Sequence, residues 1–221
     1  MSSQAIYYYT DLPSGVIDLL YKDLIEKYEQ DMQESSLTGK VIDDEIRKSK
    51  NSWLSTNHWI AGFLWHYVHK ANRENFRYDI SHIDAESLQF TKYEEGEFYN
   101  WHSDVCLRDY YKPNVKNISS KSSGNKDIHE DYLNLRNEYV RKLSFTLQLS
   151  EPDEYEGGNV QFIDDENKTF FAPRQRGSMV LFDSRTQHRV LKVKKGVRRS
   201  IVGWVLGPRW KWNQIIIMNI I

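Results

Sequence analysis

Cysteine is nearly missing from this 221-residue chain: Cys106 stands alone. No internal disulfide framework can form, and a reducing compartment, the cytoplasm, is the fitting setting. An excess of one charge is missing too, since 30 Lys and Arg meet 31 Asp and Glu. No long-range field therefore draws in nucleic acid or an anionic membrane, and neither is an expected partner. Long apolar runs are lacking as well. The first residues show no basic start, apolar stretch or cleavage site, so secretion is not signalled. The apolar run 215–221 is far too short to cross a bilayer; it reads as a final strand, a docked tail or an edge open to a partner. Aromatics, by contrast, are plentiful: 14 Tyr, 9 Phe and 7 Trp suit a β-rich core and a walled pocket.

Two grammars divide the chain. Residues 13–30 predict an amphipathic helix, with Asp11 or Ser14 as its cap and Val16, Ile17, Leu20, Leu24, Ile25 and Tyr28 at helical spacing. Residues 31–52 are polar and read as loop. A second helix is expected over 57–74, striped by Trp59, Ile60, Phe63, Leu64, Tyr67 and Val68. From about residue 78 short alternating segments take over, with strands expected at 76–80, 87–93, 98–104, 142–149, 159–163, 168–172, 178–182, 188–193 and 198–206. Gly96, Gly157-Gly158, Pro173, Gly177 and Gly196 punctuate them. This pattern predicts a mostly β protein with flanking helices and a jelly-roll (double-stranded β-helix) core. One folded unit is expected, with residues 1–80 as a helical flank packed on a core over 81–221. The polar stretch 110–131 inside that core reads as a functional or disordered loop bordering the site's mouth.

His-x-Asp occurs three times, at His82/Asp84, His102/Asp104 and His129/Asp131, so the motif alone cannot choose. Context favours the second. His102 and Asp104 sit on or just beyond a predicted strand, where alternation turns both side chains to one face. Tyr99 and Trp101 would wall them. His129 lies in the polar stretch and His82 between strand-like segments. His188 opens a later strand and completes two imidazoles and one carboxylate, a set that leaves open positions on non-haem Fe(II). The plainer account of His102 is a half-buried ring bonded to Asp104. Cys106 could face the same way, although a small packed hydrophobe is its plainer role. His58, His66 and His69 belong to the second helix. Further on, Arg198, Ser200, Val202 and Trp204 share one face of the last predicted strand. An arginine turned into an aromatic barrel needs an anion, either a bound carboxylate or a neighbouring acidic residue.

Taken together, Tyr93-x-x-Gly96-x-x-Tyr99-x-x-His102-x-Asp104, Leu143 through Gly157-Gly158, Gly177 through Phe182, His188-x-Val190 and Gly196-x-Arg198 up to Trp204 form a pattern. It resembles the 2-oxoglutarate/Fe(II)-dependent dioxygenases, in the prolyl 4-hydroxylase-like and PKHD-type hydroxylase branch, over about residues 85–207. The resemblance implies His102, Asp104 and His188 as the catalytic iron ligands and Arg198 as holder of the distal carboxylate of 2-oxoglutarate. It makes Trp204, Tyr93, Tyr99 and Gln148 candidate co-substrate contacts. O2 is implied as the oxidant, and ascorbate is a further candidate. Animal-type prolyl hydroxylases often add a tyrosine from the strand that here carries Thr146 and Gln148; this chain has none there.

The implied activity is hydroxylation of an unactivated C–H bond, a peptidyl proline or other protein side chain first, a free amino acid or small metabolite second. Two other classes stay open. A non-catalytic jelly-roll binding module would need neither iron nor Arg198. A cupin-like metal enzyme working without 2-oxoglutarate would not need Arg198. The oligomeric state is not legible.

Overall fold

The structure, a computed structural model, describes residues 6–9, 12–35, 45–84, 88–105, 139–164 and 166–210. Asp11, Cys106, His129, the polar stretch 110–131 and the run 215–221 lie outside the described residues.

Two antiparallel sheets face each other. At the centre of the larger one, β15 (Arg198–Pro208) pairs with β6 (Leu88–Tyr93) on one side and β8 (Tyr139–Gln148) on the other. Outward from β8 come β12 (Met179–Asp183) and β1 (Ile6–Tyr9); outward from β6 come β4 (Lys50–Leu54) and β2 (Gln33–Glu34). The two-residue β5 (His82–Ile83) also pairs with β15. The smaller sheet runs β11 (Thr169–Phe171), β10 (Val160–Ile163), β13 (His188–Val190), β7 (Phe98–His102) and β3 (Arg47–Lys48). This is the jelly roll that the strand pattern predicts.

Alternation sorts the central strands. On β8, Leu143, Phe145 and Leu147 join the main apolar cluster, while Ser144, Thr146 and Gln148 face the other way. That cluster takes in Ile17, Leu20 and Leu24 of α1 (Ser14–Tyr28) and Ile60, Leu64, Val68 and Ala71 of α2 (Trp59–Ala71). The helices thus cover one face of the large sheet, and each fully buried Leu contributes about 1.5–3 kcal/mol. Gly203 makes close packing possible: a Cβ there would sit 2.5 Å from Phe145 Cζ.

The N-terminal third departs from expectation at several points. α1 has Pro13 as its cap with no side-chain hydrogen bond; Ser14 is already helical, and Pro13 O takes Val16 N and Ile17 N. Within 31–52, expected as loop, lie β2, β3 and most of β4. They are short and polar, held by backbone pairing to strands with stronger patterns. The strand expected at 76–80 does not form. α2 instead runs into a π-helical turn, Asn72–Phe76, closed by Arg77 at φ 56°. There the Asn72 side chain donates to Tyr78 O and accepts from Tyr78 N, both at 2.9 Å, locking the exit.

The strand expected at 188–193 is broken in two. After β13 the chain leaves the small sheet, and β14 (Val193–Gly196) pairs only with β9 (Tyr155–Gly157). Gly157, at φ 75°, permits this junction, because a Cβ there would lie 2.3 Å from Lys192 O.

Candidate active site

The two histidines are brought together by pairing. His188 on β13 stands opposite His102 on β7, with ring centroids 4.1 Å apart. The next pair is Val190 with Tyr99, so β7 carries one residue more than its partner over this span. Such a bulge re-aims side chains. Strict alternation would set Tyr99 and His102 on opposite faces; here their rings stack at 3.5 Å and 15°. Asp104 follows the end of β7, in a bend rather than on the strand. Its N–H donates to Ser184 O (3.0 Å) and its carbonyl accepts from the Arg141 guanidinium (3.2 Å). Convergence of His102 and Asp104 therefore comes from a pinned turn and not from strand alternation.

His102 Nε2 lies 3.8 Å from Asp104 Oδ1, and His188 Nε2 lies 3.6 Å from Asp104 Oδ2. Ligand atoms of all three fall within 4.8 Å of one another, a spacing that one metal ion could bridge. Each imidazole has its other nitrogen occupied: His102 Nδ1 is 2.7 Å from Asn100 O, and His188 Nδ1 is 3.0 Å from Thr186 O. Nδ1 is then the donor, and the Nε2 lone pair is turned toward Asp104 and its partner histidine. Burial, reinforced by His188, drops the His102 pKa to about 3 in the metal-free protein, against the pull of Asp104. Burial pushes the Asp104 carboxyl up, but His188, His102, the Ser144 hydroxyl and Arg141 outweigh it, so the net shift is downward. A neutral imidazole and an ionised carboxylate are the forms that bind a divalent cation.

The three side chains open into a cavity of about 520 Å³ measured out to its mouth, whose floor includes Thr146, Val202, Trp204 and Arg198. Arg198 is 2% exposed, and its one hydrogen bond among the described residues is a long one, 3.4 Å to Ser200 Oγ. No acidic residue among those described pairs with it, so the salt-bridge account of this arginine is not supported. Thr146 Oγ1 is buried without a partner among the described residues. A free guanidinium and an orphaned hydroxyl beside a His-Asp-His cluster fit a metal ion and a chelating acid.

The remaining predicted contacts divide. Trp204 and Tyr99 line the cavity; Arg141 lies 4.1 Å over the Trp204 ring, and burial pushes the Tyr99 phenol up to about 12. Tyr93 is not in the lining; its ring packs 5.6 Å behind the Arg198 guanidinium. Gln148 does not reach the cavity either. It lies one alternation beyond Thr146, and its amide donates to Tyr155 OH (3.0 Å) and Ser150 O (3.2 Å). Trp101 points away from the cavity, 4.5 Å beneath Arg189. His58 serves as the α2 cap, accepting from Ile60 N, and His82 is exposed. Sequence reasoning missed Arg47, Gln89 and Thr146, all in the lining. Arg47 gave no signal, because it sits in a polar stretch and only its pairing with Tyr99 brings it inward.

The profile of the 2OG-Fe(II) oxygenase superfamily matches residues 88–206, more than half of the chain. The chain belongs to this superfamily. Within it, the PKHD-type hydroxylase of Synechococcus elongatus is 32% identical over 185 residues, 79% of this chain and 71% of the relative. A PKHD-type hydroxylase of Parvibaculum lavamentivorans is 40% identical over 78 residues, only 35% of either chain. A Trichoplax adhaerens prolyl hydroxylase, solved with a hypoxia-inducible-factor degradation-domain peptide, superposes with a TM-score of 0.66 at 15% identity, over 92% of this chain and 84% of that one. That likeness is one of fold. The oxygenase is thus a 2-oxoglutarate- and Fe(II)-dependent hydroxylase of the PKHD type, using O2 as oxidant. No helix among the described residues is long and apolar enough to cross a membrane.

Proposed function

We propose that His102, Asp104 and His188 hold the ferrous ion, that Arg198 holds the distal carboxylate of 2-oxoglutarate, and that the substrate is a peptidyl proline or similar side chain. The observation carrying this is Arg198: buried, without an acidic partner among the described residues, in the same cavity as the His-Asp-His cluster. When bound, the iron and 2-oxoglutarate supply the oxidising chemistry, with succinate and CO2 released and one oxygen atom entering the C–H bond. The chain's own residues supply geometry. His102 and His188 present Nε2 because Asn100 O and Thr186 O engage Nδ1. Asp104 stays ionised. Arg198 offers a planar fork suited to a carboxylate. Thr146 Oγ1 replaces Gln148 as the second polar contact for the co-substrate, since its hydroxyl is free and the Gln148 amide is not. Val202 and Trp204 keep water from the floor.

A free amino acid remains the second substrate reading. A cytoplasmic setting belongs to the same proposal, supported by the single cysteine. So does one folded unit, supported by strands from the first 80 residues that pair within both sheets.

Succinate release with Fe(II) and 2-oxoglutarate tests the site. Arg198→Ala should weaken 2-oxoglutarate binding about 10- to 100-fold, the loss expected for charge-assisted hydrogen bonds. His102→Ala and His188→Ala should lose iron-dependent turnover. Turnover surviving either histidine change would remove the ligand assignment.

A further inference from the structure

Arg47 is a second guanidinium in the cavity, and nothing described so far uses it. It is 7% exposed. Its Nε donates to Ser49 Oγ (2.9 Å), one Nη makes a long 3.5 Å contact with Gln89 Oε1, and its other Nη has no partner among the described residues. The group lies 4.8 Å over the Tyr99 ring, which also stacks on His102. The floor and wall thus run Arg47, Tyr99, His102 in sequence. No carboxylate among the described residues pairs with Arg47.

Charge balance sharpens the point. Among the described residues, the charged side chains lining the cavity are Arg47, Asp104 and Arg198. A ferrous ion and dianionic 2-oxoglutarate cancel each other, and Asp104 cancels one arginine. One positive charge is left over in a buried space, where an unpaired cation is costly. Arg198 has the long diacid, on the reading proposed above, and Arg47 is left to the other ligand.

We infer that Arg47 is a specificity residue that receives a carboxylate of the molecule to be hydroxylated. The primary substrate is therefore anionic next to the reacting carbon, through a free α-carboxylate or an acidic side chain near the target residue. This inference rests on the site assignment of the preceding subsection.

The test uses the full chain loaded with Zn(II), with and without saturating 2-oxoglutarate, and two isosteric probes, phenylacetate and phenylacetamide, followed by ligand-observed NMR. Phenylacetate should bind about tenfold or more tightly than the amide, the scale of a charge-assisted pair. Arg47→Gln should erase that preference, and Arg47→Lys should restore much of it. Both variants should keep 2-oxoglutarate affinity within about twofold. A role confined to packing on Tyr99 would shift both probes alike. Equal binding of the probes, or a preference untouched by Arg47→Gln, overturns the inference. If Arg47→Gln abolishes 2-oxoglutarate binding while Arg198→Ala spares it, the two arginines have exchanged roles and the inference also falls. If the wild-type protein fails to bind 2-oxoglutarate at all, the site assignment fails, and the zinc-only arm still judges Arg47. A free L-amino acid against a blocked acidic peptide then separates the two carboxylate sources.

Discussion

His102 carries the strongest titration signature of the site. Its depressed pKa, about 3, means that the unfolded chain binds a proton here that the folded metal-free protein refuses. The unfolded state then holds more protons between about pH 6.5, the ordinary histidine value, and pH 3, so stability rises with pH across that window. The metal-free protein should lose stability steadily as pH falls from 6.5, and His102→Asn should flatten that slope. Denaturant unfolding at pH 7 and 4.5 checks this; an equal slope in both proteins would count against a buried neutral imidazole. At this scale the candidate residues are legible in the sequence through their company: a His-x-Asp at the end of a strand, a later strand opening on His188, and Arg198 on one face of the last strand. The structure brings His102, Asp104, His188 and Arg198 to one cavity, with Asp104 in a bend and not on the expected strand. Arg47 and Thr146 were not readable, since an arginine in a polar stretch and a threonine in a strand have many ordinary roles. Their distinction, one unpaired guanidinium nitrogen and one unpaired hydroxyl among the described residues, is a property of three dimensions.

Among elements, the long strands and both helices announce themselves through apolar periodicity, and their cores, Leu143 to Leu147 or Ile60 to Ala71, follow it. The two-residue strands do not. β2, β3 and β5 have no pattern of their own and exist because a neighbouring strand offers unpaired backbone groups. The bulge in β7 is equally silent, for it depends on the register of β13. The helical layer is clasped by one residue: Asp23 of α1 accepts from Trp59 Nε1 (3.2 Å), pairs with His58 Nε2 (3.0 Å) and also meets Lys27. Asp23→Ala should cost about 1–2 kcal/mol. By calorimetry the melting temperature should drop by roughly 2–8 °C, in one transition. Two transitions would mean that the helices unfold apart from the sheets, against the single-unit reading.

At the scale of the whole molecule, the groups proposed to bind iron and 2-oxoglutarate are divided between two layers. His102 and His188 belong to the small sheet; Arg198, Thr146 and Trp204 belong to the large one. Asp104 spans the gap through its bond to Ser184 O. Any molecule gripped at both ends acts as a strut, converting two walls that can breathe against each other into a braced frame. Amide exchange should therefore slow together in β13 and β15 when metal and 2-oxoglutarate are added jointly, more than with metal alone. Slowing confined to one wall would mean that the ligand is held from one side only.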